Sequence, residues 1–394
     1  MNSPGKRTLS VLLTALVTLG VSVPLAARQN LVRDGTYQES FSYVGGLRQM
    51  ADGRLMIADP LEKSLILLDM DRGRVEHIGR EGGGPQEYRQ PDAVYALRGD
   101  TTLLVDLGNS RLTIVHPDGS FGGSRPLTSG QPGGTDFTVM IPEGVDADGN
   151  VYFQARTGPG RSRTPPDSAS ILRMEWETGR IDTVGTVKLA ERKQNVSGGS
   201  NNQRVSITAV PLSPHDDWSV SGEGRVAFVR SSPYRVDWVD PTGRVTRGPS
   251  VPVERIPVRR ADQEAWLEEP TLGGMQIGVS NDNGVVSTQM TRGGATRGRR
   301  GQIGDHEWPD YLPVFRGGRS RVDLSGNVWV ERYASAGDEG MLDVFGPDGS
   351  LQYSVRMPEG RRIVGFGDDS VYMMYMDEFD LQYLERYRVE GRGR

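Results

Sequence analysis

Six times along the chain a short turn-forming run leads into an apolar strand: Asp52–Ile57, Gly99–Leu104, Asp148–Phe153, Glu223–Phe228, Ser325–Val330 and Asp368–Met373. Five of these units carry a second turn glycine 19 to 30 residues further on, at Gly73, Gly119, Gly179, Gly243 and Gly349. Repetition at this spacing constrains the fold more than any single residue, because one such unit cannot bury its own apolar face and must stack on its neighbours.

The turn chemistry sets the content of each unit. Three of the second turns read His116-Pro117-Asp118-Gly119, Asp240-Pro241-Thr242-Gly243 and Gly346-Pro347-Asp348-Gly349. Proline presets the first corner of a type I turn and glycine takes the left-handed position that follows, as a short hairpin loop requires. The flanks Leu112–Val115, Tyr234–Val239 and Leu342–Phe345 read as strands. Two hairpins per unit and six units predict an all-β chain, a six-bladed β-propeller of four-stranded antiparallel blades. The sixth unit ends one strand short. Thr36 to Tyr43, with Tyr37, Phe41 and Tyr43 on one face, is expected to pair beside Leu381 to Val389 and close the ring. The competing reading is a degenerate seventh blade within Gly273 to Met290, opened by Asn283-Gly284-Val285-Val286.

Residues 1–27 combine Lys6-Arg7, an apolar run from Leu9 to Val23 and the small-residue end Ala26-Ala27, the pattern of a secretory signal peptide. The expected destination is the periplasm or the exterior, with 28–394 forming the propeller domain and 250–313 a large insertion between blades four and five. No other apolar run is long enough to span a bilayer. With no cysteine, disulfides, thiolate metal sites and a cysteine nucleophile are excluded. The net charge of −5 argues against nucleic acid as a partner.

The linker Ile78 to Pro91, with its glycines and Tyr88, followed by Asp106-Leu107-Gly108-Asn109-Ser110-Arg111-Leu112, resembles the NHL-repeat propellers, and the later units, especially Tyr311-Leu312-Pro313 through Asn327-Val328-Trp329-Val330, resemble the broader group of bacterial exported six-bladed propellers. The resemblance implies the same fold. It also implies structural roles for Asp59 and Asp106, which would bond the turn after their strands, and for Asn109 and Arg111, which would tie one blade to the next. Pro142 to Asn150 resembles the gluconolactonase-type propellers, which hold calcium through ligands from several inner strands. Here the positions aligned with Glu143 are Leu47, Val94, Trp218, Ser320 and Ile363, so that set is missing and no cofactor is expected. Nor is Asp146, Asp148, Asn150 an EF-hand, whose glycine and bidentate glutamate fall elsewhere.

Strand alternation leaves the long connections no choice of face. Arg156 to Ser168, Leu189 to Asp217, Ser250 to Pro313 and Tyr333 to Gly340 all join strands b to c or d to a, so all crowd one mouth of the channel. Two of them place histidine among acids: His215, Asp216 and Asp217, then Asp305, His306 and Glu307. Such groups suit a divalent ion or an oriented base, although the spacing is that of no known metal motif. Arg292, Arg297, Arg299 and Arg300 form a basic patch suited to an anionic group. Arg259 to Glu269 reads as a short helix ended by Pro270. With no complete catalytic constellation, the chain is expected to be a non-catalytic scaffold that binds a protein, peptide or glycan through His215, Asp216, Asp217, Asp305, His306, Glu307, Arg299 and Arg300. The alternative is a metal-dependent lactone hydrolase or lyase using His215 and His306.

Overall fold

The computed structural model of the chain describes residues 27–130, 137–155, 166–197, 204–271, 274–282, 285–294 and 298–390. The signal-like segment up to Ala26, most of the connection from Arg156, and Arg297 lie outside them. Six four-stranded antiparallel sheets are arranged as blades, all-β as expected. The inner, first strands of the blades are Gly46–Gln49, Pro91–Ala96, Gly144–Val145, Asp217–Val220, Arg321–Val322 and Arg361–Phe366. Each is followed by its tight a–b turn, where glycines at 53, 149, 224 and 326 take positive φ. The three proline turns close as the sequence requires: the amides of Gly119, Gly243 and Gly349 donate to the carbonyls of His116, Asp240 and Gly346, each at 2.9 Å.

Ring closure has the expected partners and a longer reach. Leu31–Phe41 pairs antiparallel with Gln382–Val389, from Leu31 against Val389 to Phe41 against Gln382. The strand begins before Thr36 and stops before Tyr43. The reason for the early stop is local: the amides of Ser42 and Tyr43 turn away to Asp59 Oδ2, at 3.0 and 3.1 Å. Asp59 also accepts the amides of Leu61 and Glu62, so one buried carboxylate bonds its own turn, as expected, and holds the chain entering blade one as well. Asp106 repeats the device in blade two, accepting Arg89, Gln90 and Asn109 amides, while Asn109 and Arg111 bond the carbonyls of Gly82, Gly84 and Glu87. Residues Ala27–Gln29 add a parallel fifth strand to blade five against Tyr353–Val355. The seventh-blade reading is not met: Met275–Asp282 and Val285–Arg292 form a separate two-stranded hairpin outside the ring.

The core lies between blades. At the seam, Tyr37 and Phe41 pack with Leu55, Ile57 and Leu68 of blade one and Tyr372, Met374 and Leu384 of blade six. Blades five and six meet through Trp329, Val344, Met373 and Tyr387. No helix among the described residues is long and apolar enough to cross a membrane.

Glu385 carries much of the polar load at the seam. Burial pushes its carboxyl up, but hydrogen bonds from Arg361, Tyr387 and Arg33 reverse this and hold it at about 2. Arg33 belongs to the closing strand, at 2.6 Å, and Arg361 to the inner strand, at 2.9 Å. A depressed folded-state pKa contributes stability above the unfolded-state value that is lost as the carboxylate protonates. The contribution is about 2 to 3 kcal/mol at neutral pH and fades between about pH 4.5 and 2. Urea titrations from pH 7 to 2.5 should show that decline in the natural protein, and a flatter, lower curve for Glu385→Gln.

Candidate functional site

The long linker after blade four builds the roof of the site. Helix Arg260–Glu268 starts where Asp262 accepts the Arg259 amide at 2.7 Å, and it stops at Glu269 before Pro270, which cannot continue a helix. The other oxygen of Asp262 accepts the Ala336 amide at 2.6 Å, which pins the helix to the b–c loop of blade five. The hairpin Met275–Arg292 then reaches the opposite side of the ring. Arg292 pairs with Asp92 on the inner strand of blade two, with Nη2 to Oδ2 at 2.8 Å. Gln90 bonds the Arg292 backbone in both directions, at 2.9 and 3.0 Å. In a six-bladed ring, blades one and two face blades four and five, so this insertion crosses the channel mouth.

Beside the helix, over blades five and six, lies a cavity of about 840 Å³. One wall is a quartet of charges. Arg316 bonds Glu269 at 3.0 Å and Glu331 at 3.2 Å, and Arg319 bonds the same two carboxylates, each at 3.1 Å. The Arg316 guanidinium lies 4.3 Å above the Tyr333 ring. Burial raises the Tyr333 phenol, Arg316 pulls it back, and Glu269 and Asp262 add to the rise, so the group is a protonated phenol at neutral pH. The floor is made by Arg362 and Gln382. Gln382 Oε1 accepts the Val44 amide at 3.2 Å and Arg362 Nη2 at 2.9 Å. Burial brings the Arg362 guanidinium down to about 10, and the like charges of Arg321, Arg319 and Arg292 add to the shift while Tyr43 opposes it. Tyr43 itself lies between Arg362 and Arg292, its ring 5.6 and 5.9 Å from their guanidinium carbons.

A smaller cavity, of about 380 Å³, opens among the tight turns of the other face. Its charges are satisfied internally, Arg54 by Asp52, Arg72 by Asp69 and Arg386 by Asp71.

None of the site residues singled out in the sequence lines the main cavity. His306 stands edge-on to Trp266 and Trp308, its Nε2 2.6 Å from the Arg300 carbonyl, and Arg300 covers the other aromatic, Trp266, at 4.7 Å. These groups fix Trp266, which lines the cavity. Asp305 accepts the Gln302 amide, Arg299 pairs with Glu268, and Glu307 pairs with Lys193. At the other linker, His215 Nδ1 meets the Ser213 carbonyl at 2.9 Å, and its Nε2 occupies the space that a Cβ on Gly317 would need. Asp216 binds Arg230, Ser231 and the Lys188 amide; Asp217 accepts the amides of Trp218 and Ser320. The two histidines share no carboxylate, and among the described residues no three histidine or acid side chains converge as ligands for an ion. The donor set therefore does not fit the metal centre of the enzyme alternative. Arg362, Gln382, Arg316, Arg319 and Tyr333 were not reached from sequence as site residues. The one signal toward them was the position of Tyr333 at the start of the b–c insertion.

No family model matches the chain, and no curated protein matches its sequence. Solved structures of similar fold do exist. Regucalcin from Agrobacterium tumefaciens, a calcium-binding protein, is 14% identical over 93% of this chain and 98% of its own, with a TM-score of 0.40. A gluconolactonase from Xanthomonas campestris is 10% identical over 93% and 97%, with a TM-score of 0.39. A Bacteroides fragilis protein whose name describes it as exported is 13% identical over 92% and 95%, with a TM-score of 0.43. The sheet order itself defines the class as the six-bladed β-propeller. The expectation of a non-catalytic scaffold is corrected here: the solved propellers this chain resembles are for the greater part enzymes by name.

Removing Arg292 tests how the roof is held. Asp92 is buried, and Arg292→Ala would strip it of its guanidinium, which costs about 3 to 5 kcal/mol for a broken buried pair. Urea unfolding should read that loss, and limited proteolysis should cut the hairpin between 275 and 292 far faster than in the natural protein.

Proposed function

We propose that the protein is a propeller enzyme, a hydrolase or lyase that works by acid–base chemistry on a small polar substrate held in the cavity over blades five and six. The observation that carries this reading is the cavity itself, about 840 Å³ and walled by charged and phenolic groups with shifted pKa values. That volume is in the range of small-molecule sites, and perturbed groups gathered in a cleft are candidates for chemistry. A protein-docking surface has less support. The exposed large apolar side chains among the described residues, Val32, Val75, Val245, Leu324 and Phe379, are scattered over four blades and both faces.

Within the cavity, the Tyr333 phenol is the proton donor. The adjoining Arg316 stabilises negative charge that develops as the proton leaves, which is the role such a cation plays beside a general acid. The Glu269 and Glu331 carboxylates hold Arg316 and Arg319 in register. The reaction is tested by screening the purified protein against lactones, followed by acid release, and against uronate-containing oligosaccharides, followed by the absorbance of an unsaturated product. For whichever substrate turns over, Tyr333→Phe should lower kcat by about 10²-fold or more with KM nearly unchanged. A variant with full kcat would remove Tyr333 from the chemistry.

Export is part of the same proposal, supported by the charged start, apolar run and small-residue end of residues 1–27. Expression of the full chain in a bacterial host, with intact-mass analysis of the periplasmic fraction, should find a product beginning near residue 28. Cytoplasmic retention of the full-length mass would contradict it.

A further inference from the structure

The arginines around the cavity are not equivalent. Arg316 and Arg319 are neutralised by Glu269 and Glu331, Arg332 by Asp343, Arg356 by Glu339 and Arg361 by Glu385. Arg362 alone among the guanidiniums lining the cavity has no carboxylate partner within the described residues. Its Nη2 is spent on the Val44 carbonyl at 3.2 Å and on Gln382 Oε1 at 2.9 Å, which leaves Nη1 and Nε without a protein acceptor. A half-buried cation among other cations is costly to keep unless something anionic completes it.

Gln382 supplies a second, independent sign. Its side chain lines the cavity and the residue is only 1% exposed, yet Nε2 has no hydrogen-bond partner. The amide cannot be turned over to cure this. Both groups facing Oε1, the Val44 amide and Arg362 Nη2, are donors, so the oxygen must stay where it is and the NH₂ group is left over. Buried donors are rarely orphaned, and a guanidinium edge next to a free amide NH₂ together present donors to a group with two acceptor oxygens.

We infer that the floor of the cavity, Arg362 with Gln382, is a carboxylate-binding subsite, and that the substrate is an organic acid such as a sugar acid. This rests on the reading of the cavity as an enzyme site and names its substrate class. A carboxylate would give Arg362 its missing counter-charge and Gln382 Nε2 its missing acceptor. The rest of the cavity leaves room for the body of the molecule beneath helix Arg260–Glu268.

The test is binding, read without turnover. The purified full chain is titrated by calorimetry and thermal shift, at constant ionic strength, with galacturonate, glucuronate and citrate, with neutral galactose, and with inorganic sulfate. At least one of the three carboxylates should bind saturably and raise Tm while galactose does not. Two variants then remove the site in different ways. Gln382→Glu keeps an acceptor for Val44 but supplies a built-in carboxylate to Arg362, and Arg362→Met removes the cation at similar length. Each should weaken the carboxylate by about ten- to a hundredfold, the loss of one or two charge-assisted hydrogen bonds. Gln382→Glu should retain or raise the Tm of the unliganded protein, which separates loss of the site from loss of the fold. The inference is overturned by no response to any of the carboxylates, by galactose binding as well as they do, by sulfate binding more tightly than they do, or by unchanged affinity in both variants. Carboxylate binding with no turnover of any substrate would retain this subsite and remove the enzyme reading. Turnover of neutral lactones with no carboxylate binding would do the reverse.

Discussion

The pairing of Leu31–Phe41 with Gln382–Val389 is the interaction on which the rest of the structure depends. A ring of stacked blades has only nearest-neighbour contacts, so its cooperativity rests on whether the last blade is joined to the first. Without the N-terminal strand the sixth sheet would have three strands and an open edge, and the cluster linking Phe41 and Leu384 to Leu55 and Ile57 would be opened to water. The seam is polar as well as apolar. Glu385 gathers Arg33 from one end of the chain and Arg361 and Tyr387 from the other.

The same seam makes the floor of the cavity. Gln382 opens its strand and pairs with Phe41, and its side-chain oxygen joins Val44, just past the closing strand, to Arg362 on the inner strand of blade six. Closure and the proposed carboxylate subsite therefore share a residue. Across the channel mouth, Arg292 and Asp92 anchor the insertion. The site thus lies between two constraints that come from chain segments far apart in sequence.

Much of the fold was legible in the residues. The proline-glycine turns declared the hairpins, since only certain residues take their φ values, and the six-fold spacing declared the ring. The Asp59 and Asp106 turns followed from the NHL-like pattern, and the helix from its proline stop. Less of the site was legible. Histidines beside acids draw the eye in a sequence, but His306 serves to brace Trp266 and His215 packs against Gly317. Arg362 looks like any other arginine in a chain with 46 basic residues, and Gln382 like any strand glutamine. Their significance lies in the partners they lack.

Local chemistry written in the sequence was enough to determine the blade count, the hairpin turns, the closing segment and the face that bears the insertions, because turn geometry and strand alternation are short-range properties. Which charges are paired is not short-range. Arg316 finds Glu269 across the insertion, Arg292 finds Asp92 across the ring, and Arg362 is left facing a cavity whose walls come from two blades and a linker helix. Only the tertiary structure decides that, since the energy of a guanidinium depends on burial and on the position of every neighbouring charge, and neither is set until the ring has closed.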